Sequence, residues 1–337
     1  TAVGNYLFQR ILCQSLPRDE VQKMKYDKQL LGRQAKELGF IRDTFEKVIR
    51  LTDILQFFEG DSLLFHSLAL KGGTAINLTI FKLPRLSVDI DLDYCHKISR
   101  ECMIDDRARI NERIMRFMAA SDYHLSEKSK HYHSLDSFVY TYMNCGGMKD
   151  NIKIEINYSL RSHVLLLERR NIETLGVFPH VAVNSIAALE IYGSKIVALF
   201  SRAAARDLYD VNNMVLSGMF GDTEKTMLRK CALFYFAVGG KEIPESFAFD
   251  RLETITHFKI RTDLLPVIRK DDAFDLEVAR RRVKEYLEDI QVPTESEWEF
   301  LDAFRHKKYS PELLFDDAEI VERLRNHPMA LWKLQEH

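Results

Sequence analysis

Ser87-Val88-Asp89-Ile90-Asp91-Leu92-Asp93 alternates polar and apolar side chains over its whole length, and a period of two puts one set on each face of a β-strand. Asp89, Asp91 and Asp93 share the polar face. At roughly 3.3 Å rise per residue, Asp89 and Asp91 project about 6.5–7 Å apart. Carboxylates held that close repel unless a cation sits between them, and hard Mg²⁺ with its oxygen ligands is the natural occupant. Two such ions can activate an attacking hydroxyl and stabilise a leaving phosphate. A solvated strand face is the plain alternative, so the surrounding sequence has to decide.

Upstream, Ser67-Leu68-Ala69-Leu70-Lys71 leads into Gly72-Gly73-Thr74 and then Ala75-Ile76-Asn77-Leu78-Thr79-Ile80-Phe81. This is a short strand, a tight glycine turn and a helix start. Paired glycines there let backbone N–H groups approach phosphate oxygens, and the Thr74 hydroxyl can add a donor. The G-x-x-x-x-G-K-[ST] phosphate loop is absent.

Downstream, Asn151-Ile152-Lys153-Ile154-Glu155-Ile156-Asn157-Tyr158 alternates as cleanly as the first strand. Gly146-Gly147 separates it from a strand over Ser137 to Asn144, as in a hairpin. Glu155 adds a third acid if its strand lies beside the one carrying Asp91. It would then complete a metal site or take the proton of a substrate hydroxyl; a surface Lys153–Glu155 ladder pair is the other reading.

From Ser185 the pattern is helical, with one helix expected from Ala187 through Asn212. At 100° per residue, Arg202 and Arg206 fall within about 20° of Lys195, Asp210 about 60° away and Asp207 about 120° round. Such a basic stripe suits a triphosphate, while an Arg206–Asp210 pair on a surface helix would serve only the helix.

Around these motifs, residues from about Asp27 to Glu59 read as two amphipathic helices broken near Gly39. A helix is expected from about Asp105 to Ser121. The C-terminal third is helical in texture, punctuated at Gly239-Gly240, Pro244, Pro266, Pro293, Pro311 and Pro328. The expected division is N-terminal helices over 1–60, a mixed-sheet core over 61–184 and a helical lobe over 185–337.

The 337 residues are 46% hydrophobic and 29% charged, an ordinary globular composition that excludes disordered and fibrous classes. Lys and Arg total 48 against 50 Asp and Glu, a net charge of −2, so nucleic acid would have to be met by local patches. Two are candidates: Arg280-Arg281-Arg282 with Lys284, and Arg305-His306-Lys307-Lys308 with Tyr309. Cys13, Cys95, Cys102, Cys145 and Cys231 are widely spaced with no C-x-x-C pair, as reduced thiols of a cytoplasmic protein would be. No leader-like start and no bilayer-length apolar run is present. His131 and His133 lack a third ligand nearby, no G-x-S-x-G elbow occurs, and Cys95 and His96 would point oppositely from a strand.

Taken in order, Leu70-Lys71-Gly72-Gly73-Thr74-Ala75, Arg85-Leu86-Ser87-Val88-Asp89-Ile90-Asp91-Leu92, Lys153-Ile154-Glu155, and Lys195 followed by Arg206-Asp207-Leu208-Tyr209-Asp210-Val211 resemble the AbiEii/AbiGii toxin family. This is a nucleotidyltransferase family of the DNA polymerase beta-like superfamily that includes the mycobacterial MenT toxins. The resemblance runs from about Leu30 to Val215. It implies an α+β, bilobed fold in which a mixed sheet with flanking helices faces a helical C-terminal lobe, with nucleoside triphosphate between the lobes. It also implies Mg²⁺ on Asp89 and Asp91, with Glu155 at the third acidic position. Gly73 and Thr74 match the phosphate-cradling pair, and Lys195 and Asp207 match the residues supplied by the helical lobe. Helical phase favours Asp210 over Asp207 as the acid facing the cleft, whereas the motif favours Asp207.

The nucleotide-binding set expected on this basis is Gly72, Gly73, Thr74, Lys195, Arg202, Arg206 and Asp210. The resemblance further implies a toxin paired with a winged-helix-type antitoxin, abortive infection as phage defence, and the tRNA 3′ end as acceptor. Nucleotidylation of a protein hydroxyl, or nucleotide binding without catalysis, are the alternatives.

Overall fold

The two alternating segments become neighbouring strands because each has an apolar face to bury. In the computed structural model of the chain, which describes residues 26–173, 175–239, 249–290 and 292–335, they lie side by side at the centre of an eight-stranded mixed sheet. Cys13, Gly240, Pro244 and the first 25 residues of the expected N-terminal region lie outside the described residues.

The strands are β1 (Leu68–Leu70), β2 (Asp89–Tyr94), β3 (His124–Leu125), β4 (Lys130–His131), β5 (Leu135–Met143), β6 (Lys149–Asn157), β7 (Glu168–Asn171) and β8 (Ala182–Ser185). Their order is β3-β5-β6-β2-β1-β8-β7, with β4 paired to β5. β2 runs parallel to β6 and antiparallel to β1, while β5 and β6 form an antiparallel hairpin. Ile90, Leu92 and Tyr94 of β2 and Ile152, Ile154 and Ile156 of β6 are buried together on one face. The hairpin turns through Gly147 at φ 78°, and Asn144 Oδ1 accepts the Gly146 and Met148 amides at 3.0 and 2.9 Å.

The helices used below are α1 (Lys28–Glu37), α2 (Arg42–Gly60), α3 (Ser62–Ser67), α4 (Gly72–Ala75, continuing into a wider turn over Ile76–Ile80), α5 (Arg100–Ala120), α6 (Ala188–Arg202), α7 (Ala205–Leu216), α8 (Asp222–Gly239), α9 (Leu276–Ile290), α10 (Glu295–Arg305), α11 (Ala318–Leu324) and α12 (Pro328–Gln335). The break expected near Gly39 is there, with Gly39 at φ 78° between α1 and α2. α5 starts five residues before the expected Asp105, because Ser99 caps it by accepting the Cys102 amide.

One expectation fails. The run from Ala187 to Asn212 is two helices, because Ala203 takes the left-handed conformation (φ 46°, ψ 55°) and ends α6. Neither glycine nor proline marks the break in the sequence, so propensity cannot reveal it. The turn is instead held by an ion cluster formed across it.

One apolar core joins α1 and α2, the inner sheet face, α6, α7 and α9. A second is built by α8 with α10, α11 and α12, and reaches Leu160 and Val164 in the segment after β6. Glu190 of α6 ties that segment down, accepting the Val164 and Leu165 amides at 2.9 Å each and the Tyr235 hydroxyl at 2.6 Å. Among the described residues no helix is long and apolar enough to cross a membrane.

Candidate active site

The polar face of β2 and β6 carries the acids. In register across the two strands, Asp89 pairs with Lys153, Asp91 with Glu155 and Asp93 with Asn157, which puts each pair about 4.8 Å apart along the hydrogen-bonding direction. Burial pushes the Asp91 carboxyl above its ordinary range; Lys71 and Lys195 pull against that, while Asp89 and Glu155 add to it. Residues from all four sequence motifs therefore act on one carboxylate. The third acid of β2 plays another part: Asp93 is fully buried and ion-paired with Lys71.

Lys153 stands among the acids, with Nζ 2.9 Å from Glu155 Oε1. Burial would lower its pKa, but the hydrogen bond and charge of Glu155, and then Asp89 and Asp91, raise it overall. The ladder pair and the shared acidic face thus coexist.

The glycine turn is fitted to this face from below. Gly72 has φ 65°, and a Cβ there would meet Asp91 Oδ2 at 2.9 Å; a Cβ on Gly73 would meet Arg85 Nη2 at 2.5 Å. Only glycine satisfies both the left-handed backbone and the close approach at residue 72. Thr74 is fully buried, and its Oγ1 donates to the Asp89 carbonyl and lies 2.9 Å from Ser87 Oγ. Its hydroxyl is spent on positioning β2, so the structure gives the phosphate-donor expectation no free O–H at this residue.

The helical lobe closes the site through a buried ion cluster. Lys195 Nζ lies 3.0 Å from Asp207 Oδ1 and 3.1 Å from Asp210 Oδ2. Arg202 donates to both oxygens of Asp207 from Nε and Nη2, at 2.6 and 2.9 Å. Arg85 grips Asp210 bidentately, with two contacts of 2.7 Å. The question of Asp207 against Asp210 dissolves, because the single-helix geometry behind it is broken at Ala203 and both acids converge on Lys195. Burial would raise the Asp207 carboxyl, but Lys195 and Arg202 bring it down to about 2. Asp210 is likewise pushed up by burial and held below its ordinary value by Arg85 and Lys195. Arg206 is partly buried and, among the described residues, has no hydrogen-bond or ion-pair partner.

Arg85 and Lys71 are site residues that motif reading quoted without assigning a role. Their signal was position: one residue lies immediately before the glycine turn, the other four before Asp89.

Other candidates do not assemble. Arg280 is tied to Glu253 and Glu277, and Arg282 to Asn212, so the first basic run is divided between internal cross-links and solvent. In the second, His306 meets Asp302, and Tyr309 turns its hydroxyl onto the Leu324 carbonyl. His131 binds Asp136, whereas His133 meets Arg100. Burial pushes the Cys95 thiol up to about 12, and it donates to backbone carbonyls.

The acids suit a hard divalent cation in one respect. Among the described residues neither Asp89 nor Asp91 has a hydrogen-bond or ion-pair partner for its carboxylate, and two such groups side by side want a counter-charge. No three acid, histidine or cysteine donors among the described residues converge tightly enough to hold an ion alone. That matches Mg²⁺, which is commonly held by one or two carboxylates with substrate phosphates completing its shell.

Residues 56–306, about three quarters of the chain, match the family described as nucleotidyl transferase AbiEii toxin, Type IV TA system. No curated protein matches the sequence. Among solved structures, the nucleotidyltransferase toxin MenT4 of Mycobacterium tuberculosis is similar in fold, with a TM-score of 0.60 over 90% of this chain and 98% of that one, at 14% sequence identity.

Proposed function

The chain belongs to the AbiEii nucleotidyltransferase toxin family, and from that premise we propose that it moves a nucleoside monophosphate from a nucleoside triphosphate to an acceptor hydroxyl at the tRNA 3′ end, releasing pyrophosphate and blocking translation. The observation that carries the chemistry is the alignment of Asp91 with Glu155 on adjacent strands, with Asp89 beside them and the Gly72-Gly73 turn beneath.

In this reading Asp89 and Asp91 hold Mg²⁺. When bound, the metal supplies charge to developing phosphate oxygens and makes a nearby hydroxyl more acidic. Glu155 is the third acid, joining that set or accepting the acceptor's proton, and Lys153 balances its charge meanwhile. The backbone N–H groups of the Gly72-Gly73 turn face the phosphates, and Thr74 fixes Asp89 at the right depth. Arg206, which has no hydrogen-bond or ion-pair partner among the described residues, contacts the triphosphate directly. Lys195 contributes positive charge from a position braced by Asp207 and Asp210, as does Arg202 from the cluster's exposed edge. Family membership carries a toxin–antitoxin context; we take the partner to be a winged-helix-type antitoxin, the setting to be abortive infection against phage, and the location to be the cytoplasm.

The test is incubation of purified protein with Mg²⁺, total tRNA and each α-³²P-labelled nucleoside triphosphate, beside Asp91→Ala. Label on tRNA that vanishes in the variant supports the reading and names the nucleotide. Label on protein alone shifts the acceptor to a protein hydroxyl, and nucleotide binding with no label on either makes the chain a non-catalytic partner.

A further inference from the structure

A cavity of about 430 Å³ opens beyond the C-terminal ends of β2 and β6, with Arg100, Arg161, His133, Tyr158, Met329 and Trp332 in its wall. It is separate from the acidic face. Tyr158 follows the last residue of β6 and packs its ring 5.4 Å from Tyr94, on the side of the apolar alternation rather than of Asp89 and Asp91.

The polar groups of the cavity are donors in excess. Among the described residues neither Arg100 nor Arg161 has a carboxylate partner; Arg100 Nη2 instead lies 3.0 Å from His133 Nε2. The acid next in sequence, Glu101, turns back onto its own amide and the Ser99 hydroxyl. Arg161 Nε and the Tyr158 hydroxyl are both buried with no partner, and Tyr158 is only 1% exposed. Unmet buried donors are costly in a folded chain and call for an acceptor, which in an open cavity a bound ligand can supply. Arg161 also holds a left-handed backbone at φ 55°, a strain that commonly gathers at binding sites. Two helices begin at the rim, α5 at Arg100 and α12 at Pro328, and α5, of 21 residues, points the positive end of its dipole there.

The remaining wall is flat and apolar. Trp332 is 51% exposed at the mouth, so an indole face is free to stack, with Met103, Met329 and Pro328 alongside. An acceptor-rich anion bonded to a planar ring satisfies both halves of the cavity, and aromatic stacking with guanidinium–phosphate contact is how single nucleic-acid units are held.

We propose that this cavity binds a phosphorylated nucleoside unit, its phosphate on Arg100 and Arg161 and its base on Trp332. The unit is either a free nucleotide or one residue of an RNA strand. The inference stands independently of the transferase reading.

The chain has two tryptophans, so Trp298→Phe leaves Trp332 as the sole fluorescent indole. In that background AMP, adenosine, inorganic phosphate and a short single-stranded RNA are titrated at fixed ionic strength. AMP should quench Trp332 saturably, at least about tenfold more tightly than adenosine, and phosphate should compete. Arg161→Gln and Arg100→Gln, each checked for folding by circular dichroism, should each weaken AMP by about tenfold or more, while Asp91→Asn leaves it unchanged. Tighter binding of the RNA than of AMP assigns the site to a strand, and binding of AMP alone assigns it to a free nucleotide. The proposal is overturned if adenosine quenches as well as AMP, if neither arginine variant changes the titration, or if Asp91→Asn abolishes it.

Discussion

Replacing Asp210 by asparagine should destabilise the protein by about 3 kcal/mol or more, although the side chain keeps its shape. Asp210 and Arg85 are 1% and 2% exposed and share two hydrogen bonds of 2.7 Å. Removing one partner of such a pair leaves an uncompensated buried charge, a loss of about 3–5 kcal/mol in comparable cases. Lys195 does not rescue Arg85, since it is a second cation drawn to the same acid. The double substitution Arg85→Met with Asp210→Leu removes both charges and should return stability to within about 1–2 kcal/mol of the parent. Urea unfolding followed by far-ultraviolet circular dichroism reads this as a midpoint lowered by about 1 M or more in the single variant, at a slope of about 3 kcal/mol/M, and largely restored in the double. A single-variant loss below about 1 kcal/mol, or a double variant as unstable as the single one, would refute the account of a sealed pair locking the segment before β2 to the helical lobe. Activity should fall in the double variant even with stability restored, because the Arg85 guanidinium that Gly73 packs against is gone.

Gly72→Ala puts a methyl 2.9 Å from Asp91 Oδ2 at φ 65°, so transfer should drop by at least about tenfold, with about 1–2 kcal/mol of backbone strain; wild-type kcat would show that the turn gives way freely. Thr74→Val removes the donor to the Asp89 carbonyl and should cost about 1–3 kcal/mol, whereas Thr74→Ser should sit near the parent in both thermal melts and activity. Burial raises the Asp91 carboxyl in the metal-free protein, and Mg²⁺ needs the carboxylate, so Mg²⁺ affinity should begin to weaken on acidification at a pH above that of an ordinary aspartate. Mg²⁺ titrations with unchanged affinity down to about pH 4 would contradict that. Asp207 is depressed to about 2, so the stability it contributes is complete above about pH 4 and lost between about 4 and 2, on the order of 2 kcal/mol. Asp207→Asn should flatten the stability curve over that window.

What could be read along the chain was whatever repeats locally. The alternation of Ser87–Asp93 and of Asn151–Tyr158, the glycine punctuation at Gly39, Gly72 and Gly147, and the amphipathic stripes of α1 and α2 each depend on neighbours a few residues away, and each was found as expected. The identity of the acidic strand, and the presence of Glu155 and Lys195 in order after it, were legible for the same reason.

Tertiary structure alone decided how those pieces meet. β2 and β6 pair in parallel only after the chain has crossed over through α5 and the β5–β6 hairpin, and no local period encodes which residue faces Asp91. The Arg85–Asp210 pair spans 125 positions. The Thr74 hydroxyl, free by motif, is consumed by the Asp89 carbonyl of a strand that folds over it. The bend at Ala203, which turns both Asp207 and Asp210 toward Lys195, is written in no glycine or proline. A left-handed alanine persists because buried carboxylates and cations from three segments are satisfied only when the helix breaks there. That balance exists in the packed molecule, where charges removed from water must find each other, and has no counterpart in a stretch of sequence.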